Sequence, residues 1–160
     1  MPRNRNSTIR SESKIFQNSI DYNSKEDWTD VPITISIDPE GCTDIDDVLS
    51  IRELKNKIEF AVHIANPVIW FDQFSKTNLL SQSQTTTLYT SKNIYHLIPP
   101  ILSTNKASLL ENQERHCISV IWTIENDIIS KRITTTKIIN KKAFSYNEFD
   151  SQNNYRIIYD

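Results

Sequence analysis

Apolar and polar residues alternate along several short segments of this 160-residue chain, and this period constrains the fold more than any other feature. A period of two places successive side chains on opposite faces of a strand, whereas a surface helix repeats every three to four residues. The alternation predicts strands at 33–37, 48–53, 58–65, 116–124 and 127–140. The sequence therefore predicts an α+β fold of mostly antiparallel strands with short helices.

The remaining segments predict short helices and a polar leader. Residues 71–83 suit a short helix, and residues 145–151 suit the start of a last one. Residues 1–30 are polar with few apolar anchors, which predicts a flexible lead-in. We therefore expect one ordered domain over residues 31–160.

Composition limits the classes of function. The formal net charge is −2, so there is no global basic field for non-specific binding to nucleic acid. No apolar run approaches the roughly 20 residues of a membrane span, and the N-terminus lacks a signal-peptide core.

Cys42 and Cys117 form no CxxC motif and the three histidines are scattered, which argues against zinc. Two free thiols fit a reducing compartment, the cytoplasm or nucleus, although the two cysteines could also pair.

The only glycine of the chain, Gly41, lies in a loop that also holds Asp38, Asp44, Asp46 and Asp47. The loop runs between two predicted strands, so it folds back on itself and can bring the four carboxylates within a few ångströms. Like charges at that distance repel and raise each other's pKa. Hard divalent cations with oxygen ligands remove this penalty, and Mg²⁺ is the expected one. Two such ions roughly 3.5–4 Å apart would suit phosphoryl transfer.

Three other interpretations of the loop compete with a metal site. The first, that the loop is simply a solvated acidic turn, remains an open alternative. An EF-hand loop does not fit, because the glycine precedes the acidic residues and the twelfth position lacks a glutamate. An aspartyl phosphotransferase is weakly supported, because Asp38 follows the strand but Glu40 stands two residues further on.

The loop and five later segments resemble the RNB catalytic domain of the ribonuclease II family, which includes ribonuclease R and the eukaryotic exosome exoribonuclease. The segments are IDPEGCTDIDD at 37–47, VHIANP at 62–67, TLYTSKNIYHLIPPILS at 87–103, ASL at 107–109, RHCISVIW at 115–122 and AFSYNEFD at 143–150. They occur in the family's order over about residues 31–155. The resemblance implies the N-terminal half of an RNB domain.

The resemblance also implies a chemistry, namely hydrolysis of single-stranded RNA from the 3′ end to nucleoside 5′-monophosphates with Mg²⁺. Asp38, Asp44, Asp46 and Asp47 match the family's metal-site aspartates, and Asp46 and Asp47 carry the catalytic roles. Tyr89 matches an aromatic residue that packs against a base near the 3′ end of the RNA, and stacking of this kind tolerates any base.

Gly41 has a structural role under this interpretation, because the acidic loop needs a backbone shape, with positive φ, that a side chain would obstruct. Two residues depart from the family pattern: Asn66 stands where aspartate is usual, and Gln84 stands where arginine is usual.

The resemblance covers about half of the family's catalytic domain, and the arginine-rich segment of its second half is not found before Asp160. We therefore expect a fragment, a split-gene product or a degraded copy. Two functions follow from this. One is an exoribonuclease that acts alone or with a protein partner supplying the missing half. The alternative is an inactive RNB remnant that binds RNA or a protein partner.

Overall fold

Seven of the nine strands in the described residues form one sheet. The structure is a computed structural model, and it describes residues 21–70 and 76–151 apart from the side chains of residues 21–24, 77 and 80. The strands are β1 (Asp21–Trp28), β2 (Ile33–Asp38), β3 (Asp47–Leu54), β4 (Lys57–Ala65), β5 (Leu88–Tyr89), β6 (Ile94–Tyr95), β7 (Glu114–Glu125), β8 (Ile128–Ile139) and β9 (Lys142–Ser145). Their order in the sheet is β1-β8-β7-β4-β3-β2-β9, and β5 and β6 pair separately.

The central strands are antiparallel, and only the two outer pairs, β1 with β8 and β2 with β9, are parallel. Asn126 and Asp127 make the tight turn between β7 and β8 with φ of 49° and 63°. Such two-residue hairpins need positive φ at both turn positions, which asparagine and aspartate tolerate. The predicted class, α+β with mostly antiparallel strands and short helices, is confirmed.

The helices are short and lie between the strands or at the end of the described chain. They are α1 (Lys76–Gln84), α2 (Tyr146–Asp150), a 3₁₀ helix (Pro67–Trp70) and a π-helical turn (Leu102–Lys106). Ser145 caps α2 with a capping box, in which its Oγ accepts from the Glu148 nitrogen at 3.3 Å and its own nitrogen donates to the Glu148 carboxylate at 2.9 Å. None of the helices in the described part of the chain is long and apolar enough to cross a membrane.

Alternation along the strands gives the sheet one inner, buried face. Its main core cluster consists of Trp28, Val31, Ile45, Val48, Ala61, Leu109, Cys117, Ile121 and Ile138. A second cluster, Ile35 with Phe144 and Phe149, packs α2 and β9 against β2. Because Ile45 belongs to the main cluster, the core reaches directly under the acidic loop.

A row of buried polar side chains crosses the inner face and centres on His63. The Thr34 hydroxyl donates to the Val31 carbonyl at 3.0 Å, so it accepts from Ser50 Oγ at 3.0 Å. Ser50 has then used its proton, and its oxygen accepts from His63 Nε2 at 3.0 Å. His63 Nδ1 is therefore the acceptor, and Ser119 Oγ donates to it at 2.7 Å. The histidine links neighbouring strands and has a structural role.

Glu59 forms a second polar cluster on the same face, at the opposite end of β4 from the acidic loop. Its side chain is 1% exposed and bonds Arg52, Arg132 Nη1 at 3.1 Å and Thr123 Oγ1 at 3.2 Å. Burial raises its pKa, but the hydrogen bonds from Arg52 and Arg132 outweigh burial and lower the pKa to about 2. Arg132 also bonds Glu26, so this cluster ties β1 to the edge of the sheet.

The structure adds elements that the alternation did not indicate. β1 lies within the segment predicted as a flexible lead-in, and Trp28 at its end is fully buried; residues 1–20 lie outside the described residues. The helix predicted at 71–83 is α1, which ends at Gln84, while residues 71–75 lie outside the described residues.

Candidate active site

The acidic loop connects β2 to β3 at one end of the sheet. Asp38 is the last residue of β2 and Asp47 the first of β3. Because β2 and β3 are antiparallel neighbours, the connection returns to the end of the sheet that it left. The Cys42 nitrogen donates to the Pro39 carbonyl at 3.1 Å, and Gly41 within this turn has φ of +79°. The predicted positive φ of Gly41 is confirmed, and only the backbone requires it, because an added Cβ would meet nothing within 4 Å.

Ile45 fixes the acidic stretch to the protein. Its side chain is 4% exposed and belongs to the main core cluster, whereas the flanking Asp44 and Asp46 are exposed. Its carbonyl accepts from the Leu109 nitrogen at 2.9 Å, and the Asp46 carbonyl accepts from the Ala65 nitrogen at 2.8 Å. One buried isoleucine therefore directs its two acidic neighbours outward.

Ser108 and Arg115 hold the loop from the other side. Ser108 Oγ accepts from the Ile45 nitrogen and donates to the Thr43 carbonyl, both at 3.0 Å. Arg115 in turn donates from Nε to the Ser108 carbonyl at 2.8 Å and from Nη2 to the Asn105 carbonyl at 3.0 Å. These two side chains position the acidic loop and contribute no carboxylate to it.

The carboxylates of the loop repel one another. Burial raises the pKa of Asp38, and the charges of Asp47 and Asp44 raise it further. Burial likewise raises the pKa of Asp46, and the charges of Asp44, Asp47 and Asp38 add to that effect. The structure therefore brings the four predicted aspartates into one electrostatically coupled group.

The donor set of this group suits a hard cation. Asp38 Oδ2 is buried and has no hydrogen-bond partner among the described residues, and such an oxygen is stabilised by a positive charge. Four carboxylates match the all-oxygen preference of Mg²⁺. Within 21–70 and 76–151, however, no three Asp, Glu, His or Cys side chains are arranged closely enough to hold a metal ion. The carboxylates therefore have the right chemistry for Mg²⁺. They would have to move closer together to coordinate it.

A groove of about 390 Å³ opens beside the acidic loop. Asp38, Gly41 and Cys42 line one side of it, and Ser145 and Asn147 at the start of α2 line the other. Cys42 Sγ lies 3.7 Å from Asp44 Oδ1, and burial and the nearby carboxylates raise the pKa of its thiol. Cys42 is therefore a poor nucleophile at neutral pH.

Tyr89 lies apart from the acidic loop, on the two-stranded β5–β6 hairpin. It pairs with Ile94 and is 72% exposed, so its ring is accessible. Gln84, at the end of α1, donates from Nε2 to the carbonyl of Tyr95 at 2.6 Å and to that of Thr86 at 3.2 Å. The glutamine that replaces the usual arginine therefore supports the backbone of this hairpin.

The sequence around Ser108 and Arg115 resembles family segments but indicates no role for either residue. ASL and RHCISVIW each matched a family segment, and that match was the available signal. The partners of the Ser108 hydroxyl lie more than 60 residues away along the chain, so no local pattern indicates the contact.

Comparison with protein families finds a model that matches most of the chain. The model of the RNB domain matches residues 25–154 of the chain. The exosome complex exonuclease RRP44 of Mus musculus is 34% identical over 131 residues, which are 80% of this chain and 14% of that protein. The chain thus spans about one seventh of the length of this relative.

Solved structures share the fold. The RNase R of Mycoplasma genitalium, solved in complex with ribose-methylated single-stranded RNA, superposes with a TM-score of 0.69 at 21% identity, over 84% of this chain and 21% of that one. Yeast Ssd1, described as a pseudonuclease, superposes with a TM-score of 0.66 at 16% identity, over 82% of this chain and 17% of that one. Both likenesses concern the fold, which therefore occurs in nucleases and in a pseudonuclease.

Proposed function

The chain belongs to the RNB domain family, and from this membership we propose that it is a Mg²⁺-dependent 3′-to-5′ exoribonuclease. Its substrate is single-stranded RNA and its products are nucleoside 5′-monophosphates. The observation that carries the proposal is the coupled group of four aspartates, with one carboxylate oxygen of Asp38 buried and unpaired. A solvated acidic turn would leave its carboxylates in water and would not bury one of them.

Asp38, Asp44, Asp46 and Asp47 hold the cations, which we propose to be two Mg²⁺ ions. When bound, these ions lower the pKa of a water molecule and stabilise the charge that develops on the phosphate. Asp46 and Asp47 have the catalytic roles, because Asp46 directly follows the anchored Ile45 and Asp47 is the first residue of β3, so the backbone holds both at the sheet. Gly41 supplies the turn that returns the loop to Asp44, and Tyr89 stacks on a base of the RNA strand.

RNA is the proposed partner of this site. The second proposed partner is a protein that supplies the other half of the RNB domain. The outer face of β4 and β7 supports such a protein partner, because Ile58, Ile64 and Ile124 are each more than 40% exposed and share this face with the Phe60–Trp122 ring pair. We place the protein in the cytoplasm or nucleus, since both of its cysteines are free.

A cleavage assay with two labels tests the reaction. RNA labelled at the 5′ end should yield a ladder that shortens from the 3′ end, and uniformly labelled RNA should yield nucleoside 5′-monophosphates. Both signals should need Mg²⁺ and vanish in EDTA. Internal fragments, or nucleoside 3′-monophosphates as products, would contradict the proposal.

The second candidate function is an RNB remnant that binds RNA or a protein without cleaving. The observation that favours it is the likeness of the fold to the pseudonuclease Ssd1. RNA binding in EDTA combined with intact RNA in Mg²⁺, also after addition of candidate partner proteins, would support this function over the first.

A further inference from the structure

Asn66 follows directly after β4, one residue beyond the Ala65 nitrogen that bonds the Asp46 carbonyl at 2.8 Å. The side chain of Asn66 is 8% exposed, and its Oδ1 has no hydrogen-bond partner among the described residues. Leaving a buried amide oxygen unpaired is unfavourable by about 1–3 kcal/mol. Such an oxygen is stabilised by any donor that reaches it, whether a bound molecule or an ordered water.

Asn66 lines a cavity of about 300 Å³ together with Lys25, Ile69, His116, Cys117 and Thr135. This volume lies at the lower end of the range for small-ligand pockets, which combine apolar walls with a few polar groups. Burial raises the pKa of the Cys117 thiol to about 12, so the thiol is neutral and forms part of the wall. The cavity therefore combines an apolar surface with an amide, a cationic side chain, an imidazole and a hydroxyl.

We infer that this cavity binds a nucleobase of the RNA strand, with Asn66 recognising its edge. A nucleobase carries N–H donors beside acceptors, which is the complement of a carboxamide. Lys25 stands at the cavity to meet the phosphate of the same nucleotide. The inference rests on the proposed function, because the nearby acidic loop is where the RNA would be cleaved.

This inference also gives a reason for the departure from the family pattern at position 66. A carboxylate only accepts hydrogen bonds and would repel the phosphates of RNA, whereas a carboxamide both donates and accepts and is uncharged. The asparagine thus suits a base edge.

A titration followed by NMR tests the inference on the whole chain, with EDTA present so that no hydrolysis occurs. The probes are adenosine 5′-monophosphate and ribose 5-phosphate, which carries the phosphate but lacks the base. We expect adenosine 5′-monophosphate to shift the Asn66 side-chain amide and the Cys117 backbone amide saturably, and ribose 5-phosphate to leave both unchanged. Equal shifts with both probes would reduce the site to phosphate binding by Lys25, and no shift with either would mean that water serves the amide; each result overturns the inference.

Two variants sharpen this test. Asn66→Ala should weaken binding of adenosine 5′-monophosphate by about 2- to 12-fold, the usual value of one net hydrogen bond. The matched variant Asn56→Ala, in the turn at the other end of β4, should bind as the parent does. If Asn66→Ala does not fold, the comparison of the two probes on the parent chain decides alone. A chain that binds the base in EDTA but never cleaves RNA would refute the proposed function and leave this inference standing.

Discussion

Ser108 Oγ accepts a hydrogen bond from the Ile45 nitrogen at 3.0 Å, and this contact joins residues that are 63 positions apart in the chain. Ser108 is 1% exposed, so no water replaces the contact. Ile45 separates Asp44 from Asp46, and the serine therefore controls where both carboxylates stand. The acidic loop is ordered by a residue that carries no charge.

Ser108→Ala should lower the free energy of unfolding by about 1–3 kcal/mol, because it leaves the Ile45 N–H buried without an acceptor. It should also reduce Mg²⁺-dependent RNA hydrolysis at temperatures where the variant is fully folded. Denaturant unfolding and the cleavage assay measure the two effects. The exposed Ser91→Ala is the matched control, and a Ser108→Ala variant with the stability and activity of the parent would remove the positioning role.

Gly41→Ala should destabilise the protein by about 1–2 kcal/mol, because an alanine at φ of +79° adopts a left-handed conformation. Crowding does not contribute, since the added methyl group meets no atom within 4 Å. Gly41→Asn should be affected less, because asparagine tolerates this conformation better. Equal denaturation midpoints for Gly41→Ala and the parent would show that the loop does not depend on this backbone shape.

His63 should make the fold sensitive to acid. Burial, and secondarily the charge of Arg52, lower its pKa in the folded state to about 3 from an ordinary value of 6.5. Between these two values the unfolded chain binds the proton and the folded chain does not, so the free energy of unfolding falls as the pH falls. The slope attributable to His63 should approach about 1.4 kcal/mol per pH unit within this window.

NMR titration of the His63 ring measures this pKa directly. A His63 titration midpoint near 6.5 in the folded protein would contradict the proposed hydrogen-bonded tautomer.

Tyr89→Ala should weaken binding of single-stranded RNA by about 5- to 150-fold, the equivalent of one stacked base. Tyr89→Phe keeps the ring and should bind as the parent does. Fluorescence anisotropy with labelled RNA in EDTA measures affinity without cleavage. If both variants bind RNA equally well, the exposed ring on the β5–β6 hairpin takes no part in RNA recognition.

The sequence indicated those parts of the fold whose signal is local. The central strands were recognised by their period of two, although on β4 the buried face carries Ala61 and His63 and the half-buried face carries Phe60 and Val62. β1 was missed because its sequence, DYNSKEDW, is polar, and it is held at the sheet edge by parallel pairing and by the bonds of Glu26 to Arg132.

The candidate site likewise has residues with a local sequence signal and residues without one. Its four aspartates and Gly41 are neighbours in sequence, so a motif can reveal them. Other features depend on contacts that only the folded chain makes. These are the positions of Ser108 and Arg115 and the unpaired oxygen of Asn66.

The central claim is that the acidic loop carries metal-dependent RNA hydrolysis, and Asp46→Asn tests it most directly. The substitution keeps the shape of the side chain and removes a charge that its neighbours already disfavour, so the fold should be as stable as the parent. Cleavage of 5′-labelled single-stranded RNA in Mg²⁺ should fall by at least about 100-fold. The matched variant Asp30→Asn, on the exposed turn after β1, should cleave as the parent does. Unchanged cleavage in a folded Asp46→Asn variant would contradict the account.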